Sequence, residues 1–242
     1  MKVESSQPWC GLALVVGAGG IGRAVALELQ QRCPKLQVLT AGRQGPPQQS
    51  LRLDLDSNHQ MESLAEQIAS FNQPLRLLFN CSGRLHSKEL QPEKRLAQVQ
   101  RNQLHELFSI NAIAPILLAK AVEPLLQRSQ PFHFASLSAR VGSISDNHSG
   151  GWYGYRASKA AQNQLLRCLS LEWKRRWPAA TVTLLHPGTT DTELSRPFQL
   201  SVPPERLFTP ERAARQLVDV LLRQTPEQSG AFLAWDAQPI DW

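Results

Sequence analysis

Tyr155 and Lys159, in the run Tyr155-Arg156-Ala157-Ser158-Lys159, stand at a spacing that can move a proton. If this segment opens a helix, residues four apart lie on one face, and the ammonium comes close enough to act on the phenol. A free phenol titrates near pH ~10, and a neighbouring cation favours the phenolate and brings the group closer to working pH. The pair reads as a general acid with its activator.

Such a pair needs a scaffold that brings a substrate and a reactive group to it. Residues 11–16 are a short apolar run bounded by glycines, as in a strand buried on both faces of a parallel sheet. Gly17-Ala18-Gly19-Gly20-Ile21-Gly22 follows, then an amphipathic stretch closed by Cys33-Pro34. Strand, glycine turn and helix in this order let a backbone approach a pyrophosphate, with free N–H groups and a positive dipole at the helix start. The turn predicts dinucleotide binding. A second strand, 36–41, ends at Thr40-Ala41-Gly42-Arg43. An NAD site usually places an acid here for the ribose hydroxyls, whereas an arginine suits a 2′-phosphate, so NADP(H) is favoured over NAD(H). Arg43 is the expected contact and Arg23 a second one.

Further strands are expected at 51–55, 75–79, 132–137, 181–186 and 231–235, with helices between them. This alternation predicts an α/β fold: one Rossmann-type domain over 1–242, a doubly wound, mostly parallel seven-stranded sheet with helices on both faces. The ligand belongs at the carboxyl ends of the strands. Asp54, ending the third strand, is placed to hydrogen-bond an adenine.

The connecting segments carry their own expectations. Residues 60–71 read as one helix, and 84–102 as a polar surface excursion. Residues 103–127 read as a long helix kinked at Pro115, with Asn111 in it and Asn102 nearby. Along the helix begun at the tyrosine, Ala157, Ala161, Leu165, Leu169, Trp173 and Trp177 form an apolar stripe for the core or a subunit interface. The proline-rich segment 193–210 reads as a substrate lid. Thr209 and Pro210 cap a helix running to Arg223.

Charged residues are 19% and hydrophobic residues 42%, an ordinary globular composition, and Lys plus Arg exceed Asp plus Glu by 26 to 20. The densest basic run, Lys174-Arg175-Arg176, reads as a solvated helix face, and no nucleic-acid motif accompanies it. Cys10, Cys33, Cys81 and Cys168 form no CxxC pair, and the six histidines share no ligand spacing, so no metal site is expected. The apolar stretch 12–21 is too short and glycine-broken for a leader, and Glu4 precedes it. With no apolar run of membrane-spanning length either, a cytoplasmic protein with no membrane partner is expected.

Taken together, GAGGIG at 17–22, NCSG at 80–83, Asn111, Ser138, YRASK at 155–159 and HPGTTDT at 186–192 resemble the short-chain dehydrogenase/reductase family across essentially the whole chain. More narrowly, SARVGSISDN, GGWYGYRASKAA and FLAWDAQPIDW look like its C-factor-like and sniffer-like carbonyl reductases. The resemblance implies hydride transfer between a nicotinamide and a small-molecule carbonyl or alcohol. Tyr155 would be the general acid, Lys159 would lower its pKa and hold the nicotinamide ribose, Ser138 would bind the substrate oxygen, and Asn111 would hold a relay water. Gly17, Gly20, Ile21, Gly22, Arg43, Asp54, Asn80, Ser82, Gly83, Lys159, Pro187, Gly188 and Thr190 would line the cofactor site.

Two departures stand out. The glycine turn is one residue shorter than the usual GxxxGxG, and alignment on Gly142 sets Ala139 where the family's catalytic serine usually stands. Either Ser138 has taken that role or Ser143 substitutes. Trp152 and the lid would hold a partly apolar substrate. A non-catalytic dinucleotide-binding sensor or signalling protein is the alternative; a nucleotide-sugar epimerase lacks room for its substrate domain. The tyrosine helix and the helix around Asn111 would suit a dimer or tetramer.

Overall fold

The computed structural model describes residues 9–43 and 50–242; Glu4 lies outside them. Seven strands pair in parallel: β1 (Gly11–Val16), β2 (Leu36–Gly42), β3 (Ser50–Arg52), β4 (Leu75–Asn80), β5 (Phe132–Leu137), β6 (Ala180–His186) and the last in the chain, β9 (Ala231–Ala234). Their order is β3-β2-β1-β4-β5-β6-β9, and β7 (Thr189–Thr190) pairs separately with β8 (Leu207–Phe208). The direction of winding reverses between β1 and β4, which opens a crevice at their carboxyl ends. The seven strands fall where the sequence places them, except that β3 spans three residues and not five.

Helices cover both faces because alternate residues of each strand point to opposite sides. On one face α1 (Gly20–Arg32) and α7 (Pro210–Arg223) set Val25, Leu29, Leu217 and Leu221 against Ala13, Val15, Phe79 and Leu185. On the other lie α2 (Asn58–Glu62), α3 (Leu64–Ala69), α4 (Arg101–Phe108), α5 (Ala114–Val122) and α6 (Tyr153–Arg176). From these, Leu64, Ile68, Leu118, Val122, Leu166 and Trp173 meet Leu12, Leu14, Leu78 and Phe134. Trp173 is the largest fully buried side chain; its ring meets Phe132 and Phe134 edge-on at 5.8 and 6.2 Å, and its N–H donates to Glu123 Oε2 at 3.1 Å. Burying each such side chain stabilises the fold by roughly 1.5–3 kcal/mol. Thr209 caps α7 through the Arg212 N–H, as expected.

Four expectations need correction. Residues 60–71 form two short helices, α2 and α3, divided at Ser63, whose hydroxyl donates back to the Gln60 carbonyl. The 103–127 helix begins at Arg101, and its irregularity is a wide turn at Ser109–Ile113 that precedes Pro115. Pro115 then stands at the start of α5, where its missing N–H is tolerated. By length and composition the stretch Arg101–Leu125 is apolar enough to cross a membrane, yet half of its most apolar window is buried in this chain. In the segment 84–102, Leu85, Leu90 and Glu93 are buried, so it is a wall of the molecule and not an excursion. Finally, Ala157 is exposed and Ala161 and Leu165 are half-buried; of the predicted stripe only Leu169 and Trp173 are buried, and the face turned inward is that of Tyr155.

Two histidines tie stability to pH. Burial lowers His133, bonded to Thr183 Oγ1 at 2.8 Å, to about 3, and His186 to about 4. Both lie below the unfolded value of ~6.5, so the unfolded chain binds more protons at acid pH. The stability is complete above about pH 6.5 and falls as pH drops towards 3–4, by up to ~1.4 kcal/mol per unit for each histidine. His133→Gln should flatten this slope in urea denaturation from pH 7 to 4; an unchanged slope would contradict the assignment.

Candidate active site

The crevice between β1 and β4 opens into a cavity of about 1030 Å³ that runs from the glycine turn to Tyr155 and Lys159. At one end Gly17 leaves β1 with a φ of +89°, and a Cβ on it would lie 2.8 Å from the Ser82 nitrogen. A Cβ on Gly22 would lie 2.0 Å from the Gly17 carbonyl oxygen, so glycine is needed to fold α1 against the turn. Helix α1 has no side-chain cap, and its first N–H groups are left for an occupant of the cavity. This backbone cradle fits a pyrophosphate. Arg43, Asp54 and Asp56 also line the cavity.

At the other end the walls are held by a buried polar network. Asn80, at the end of β4, accepts from the Ser82 hydroxyl (2.6 Å) and donates to Ser136 Oγ (2.9 Å). Gln162 Nε2 donates to Ser136 Oγ (2.7 Å) and the Leu137 carbonyl (3.1 Å), and its Oε1 accepts from Lys159 Nζ (2.9 Å). Lys159 Nζ also donates to the Leu137 carbonyl at 2.9 Å. Asn111, in the wide turn, accepts from the Arg84 N–H and donates to the Arg84 carbonyl, each at 2.8 Å, and donates to Ser158 Oγ at 3.0 Å.

Helix α6, which carries Tyr155 and Lys159, is started from outside itself. Trp152 enters it with a φ of 50° and no capping side chain. Buried Glu93 supplies the cap: its carboxylate accepts from the Gly154 N–H at 3.2 Å and its carbonyl from the Trp152 N–H at 2.5 Å. A carboxylate at the amino end, with Lys174, Arg175 and Arg176 in the last turn, suits both ends of the helix dipole. Tyr155 packs into an apolar cluster with Leu85, Leu90 and Leu107, bordered by Ala139, Val141, Trp152, Leu194 and Phe198. Phe198, from the expected lid, lies 4.9 Å from Trp152 between ring centroids, and Trp152 lies 6.2 Å from Tyr155.

Burial sets the site's ionisation. It pushes the Tyr155 phenol up and brings Lys159 down to about 7. Neither hydrogen bond of Lys159 goes to the Tyr155 hydroxyl. In the free chain burial is the cause of both shifts. A protonated phenol is what a proton donor requires. The Cys81 thiol is also pushed up by burial.

A profile of the short chain dehydrogenase family matches residues 11–201. Residues equivalent to 78% of the chain are 31% identical, over 191 positions, to 78% of the 1-hydroxy-2-glutathionyl-2-methyl-3-butene dehydrogenase of Rhodococcus sp. (strain AD45). The chain belongs to the short-chain dehydrogenase family. It is thus an oxidoreductase of the hydride-transferring kind, as the motifs imply. The C-signal of Myxococcus xanthus is 32% identical over 148 residues, 61% of this chain and 83% of that one. Two solved structures share the fold with a TM-score of 0.82 and 24% identity: carbonyl reductase Sniffer of D. melanogaster, over 97% of this chain and 100% of that one, and an NADPH-bound carbonyl reductase from chicken fatty liver, over 96% and 99%.

In this short-chain dehydrogenase the cavity brings together Gly17, Gly20, Ile21, Gly22, Arg43, Asp54, Ser82, Gly83, Ser138, Tyr155, Lys159 and Pro187. Asn80 and Asn111 stand behind the wall, fully buried. Gly188 and Thr190 form the turn behind Pro187, the Thr190 hydroxyl aimed at the Pro187 and Gly188 carbonyls. Arg23 is exposed and outside the cavity lining. The two candidate serines separate. Ser143 is buried away from the cavity against Ser145 and the Asp146 N–H. Ser138 lines the cavity but donates its hydroxyl proton to Asn163 Oδ1 at 2.6 Å, while Ala139 borders the apolar cluster around Tyr155.

Sequence reasoning missed Glu93, Gln162 and Asn163. The last two were detectable as polar residues seven and eight positions after Tyr155, on its own helical face. Among the described residues no group of three or more His, Cys, Asp or Glu is placed to hold a metal ion.

The glycine cradle gives a direct test. Gly22→Ala must displace the Gly17 carbonyl, and NADPH affinity, read by fluorescence titration, should fall by at least ~10-fold, equivalent to ~1.4 kcal/mol; unchanged affinity would reject the cradle.

Proposed function

We propose that this short-chain dehydrogenase is an NADPH-dependent reductase of apolar carbonyl compounds. The observation that carries the reading is the position of Tyr155, which stands where the glycine-lined cavity meets the apolar cluster of Leu85, Leu90, Leu107 and Trp152. A bound nicotinamide dinucleotide supplies the hydride. The turn at Gly17–Gly22 and the start of α1 would hold its pyrophosphate, Arg43 its 2′-phosphate, Asp54 its adenine, and Ser82, Gly83 and Lys159 its nicotinamide half. Arg43 at the end of β2, with no acid beside it in Thr40-Ala41-Gly42, favours NADP(H) over NAD(H). The chicken carbonyl reductase of the same fold holds NADPH.

The chain's own residues then handle the proton. Tyr155 donates its phenolic proton to the carbonyl oxygen as that oxygen becomes an alkoxide, and Lys159, when charged, stabilises the phenolate left behind. Buried Asn111 holds the backbone of Arg84, one residue beyond Gly83 at the cavity wall, and the hydroxyl of Ser158 beside the Tyr155 carbonyl. Ser138 meets the cavity with oxygen lone pairs while its proton is engaged by Asn163, so it is a weak donor to a substrate oxygen. Segment 193–210 closes the apolar side as a lid. Its base is fixed by the β7–β8 pairing and by Arg212, whose guanidinium lies 3.7 Å over the Phe208 ring.

NADPH oxidation over a panel of aldehydes, ketones and quinones should show turnover, and Tyr155→Phe should lower kcat/KM by ~10²–10⁴-fold. Activity in reduction should decline above about pH 7, as Lys159 loses its proton. A Tyr155→Phe protein with wild-type turnover would sink the proposal. Arg43→Ala should weaken NADPH far more than NADH. Ser138→Ala and Ser143→Ala should each retain most activity, and a large loss in either would restore the serine to the chemistry. Similarity to C-signal supports a second reading, a dinucleotide-binding signalling protein. NADPH binding with no turnover across the panel would favour it.

A further inference from the structure

We propose that Gln162 is the positioning residue that aims Lys159: with the Leu137 carbonyl it takes two of the three ammonium protons and leaves one N–H for the cavity. Gln162 lies three residues beyond Lys159 on α6 and is 0% exposed. Its orientation is fixed by chemistry. Nε2 faces two acceptors, Ser136 Oγ and the Leu137 carbonyl, and Oε1 faces the lysine; turning the amide over would set NH₂ against an ammonium and oxygen against a carbonyl. The two acceptors on Lys159, each at 2.9 Å, come from different elements, the end of β5 and α6 itself. Nζ can therefore neither swing nor rotate freely, and its remaining N–H is committed to the cavity. There Nζ would stand 3.7 Å from a Cβ on Gly83.

The network reaches further. Ser136 Oγ also accepts from Asn80, whose Oδ1 holds Ser82 on the cavity wall. One amide thus links the lysine to the carboxyl ends of β5 and, through Ser136, of β4. A glutamine buried only to fill space would be replaced by leucine or methionine at little cost. Here that replacement takes an acceptor from a buried cation, which costs more than losing a neutral hydrogen bond.

The consequence falls on the charge of Lys159. Acceptors on the ammonium oppose the effect of burial, so removing one moves the loss of its proton to lower pH, and a carboxylate in its place moves it to higher pH. The other ionisable groups on the cavity wall near Lys159 are Tyr155 on α6, Cys81 and Arg84 after β4, and Glu193 beyond β7. Arg84 is paired with Glu106 at 2.6 Å. Arg43, Asp54 and Asp56 also line the cavity. None of these is altered by changing Gln162.

The activity arm rests on the reductase reading, and an NMR arm does not. In protein labelled with ¹³C-lysine, with Lys159→Arg identifying the resonance, the Lys159 Cε titration should move down in Gln162→Met and up in Gln162→Glu, by about half a unit or more. In assays, Gln162→Met should lower kcat about tenfold with the carbonyl KM little changed, and shift the alkaline limb of kcat in the same direction as the titration. Gln162→Glu, which keeps the acceptor, should recover part of kcat and shift the limb to higher pH. A folded Gln162→Met protein with wild-type kcat and an unmoved Lys159 titration overturns the proposal. If Gln162→Met does not fold, Gln162→Glu decides alone, and an unmoved or lowered titration there overturns it. Absence of turnover in the wild type would defeat the reductase reading and leave the titrations to judge Gln162.

Discussion

A buried ammonium must be met by acceptors, and that constraint organises the centre of this molecule. Lys159 is 3% exposed, and burial brings its pKa down to about 7. The Leu137 carbonyl and Gln162 Oε1 are the acceptors that keep a charged form attainable there. Gln162 in turn needs Ser136, and Ser136 is shared with Asn80. Each partner stands at the carboxyl end of a central strand or on the helix packed over it. The lysine's charge and the shape of the crevice are set by the same hydrogen bonds.

A close backbone approach governs the opposite end of the cavity. Gly17 and Gly22 fold the turn so tightly that a Cβ on either would meet backbone atoms at under 3 Å. That leaves the start of α1 without a capping side chain and open to an anionic occupant. The two ends of the cavity thus differ in kind: one is formed by missing side chains, the other by buried, fully engaged ones. Between them lies Tyr155, whose phenol burial keeps protonated.

The third wall is apolar and comes from segments with little regular structure. Leu85 and Leu90 share the apolar cluster of Tyr155, and the Phe198 ring of segment 193–210 meets that of Trp152. Glu93, from the same stretch as Leu90, caps the helix on which the tyrosine stands. A change in this wall therefore acts on both the apolar side of the cavity and the helix that carries Tyr155.

The fold was legible in the amino-acid sequence because strand periodicity, the glycine turn and the Thr209 cap are local signals, each written in neighbouring residues. The Tyr155/Lys159 pair was legible for the same reason, being four residues apart on one helix. The segment 84–102 was misread because its few buried residues, Leu85, Leu90 and Glu93, are spaced irregularly among polar ones. The apolar stripe drawn through Ala157 and Leu165 missed the inward face because that face is polar in its first half, with Ser158, Lys159, Gln162 and Asn163. Sequence alone thus determined the architecture and the placing of Tyr155 and Lys159 on one helix. Only the tertiary structure decided that Ser138 gives its proton to Asn163, that burial pushes the phenol up, and that Gln162 holds the ammonium. These depend on distances between residues far apart in the chain, and on water excluded from between them, which no local pattern records.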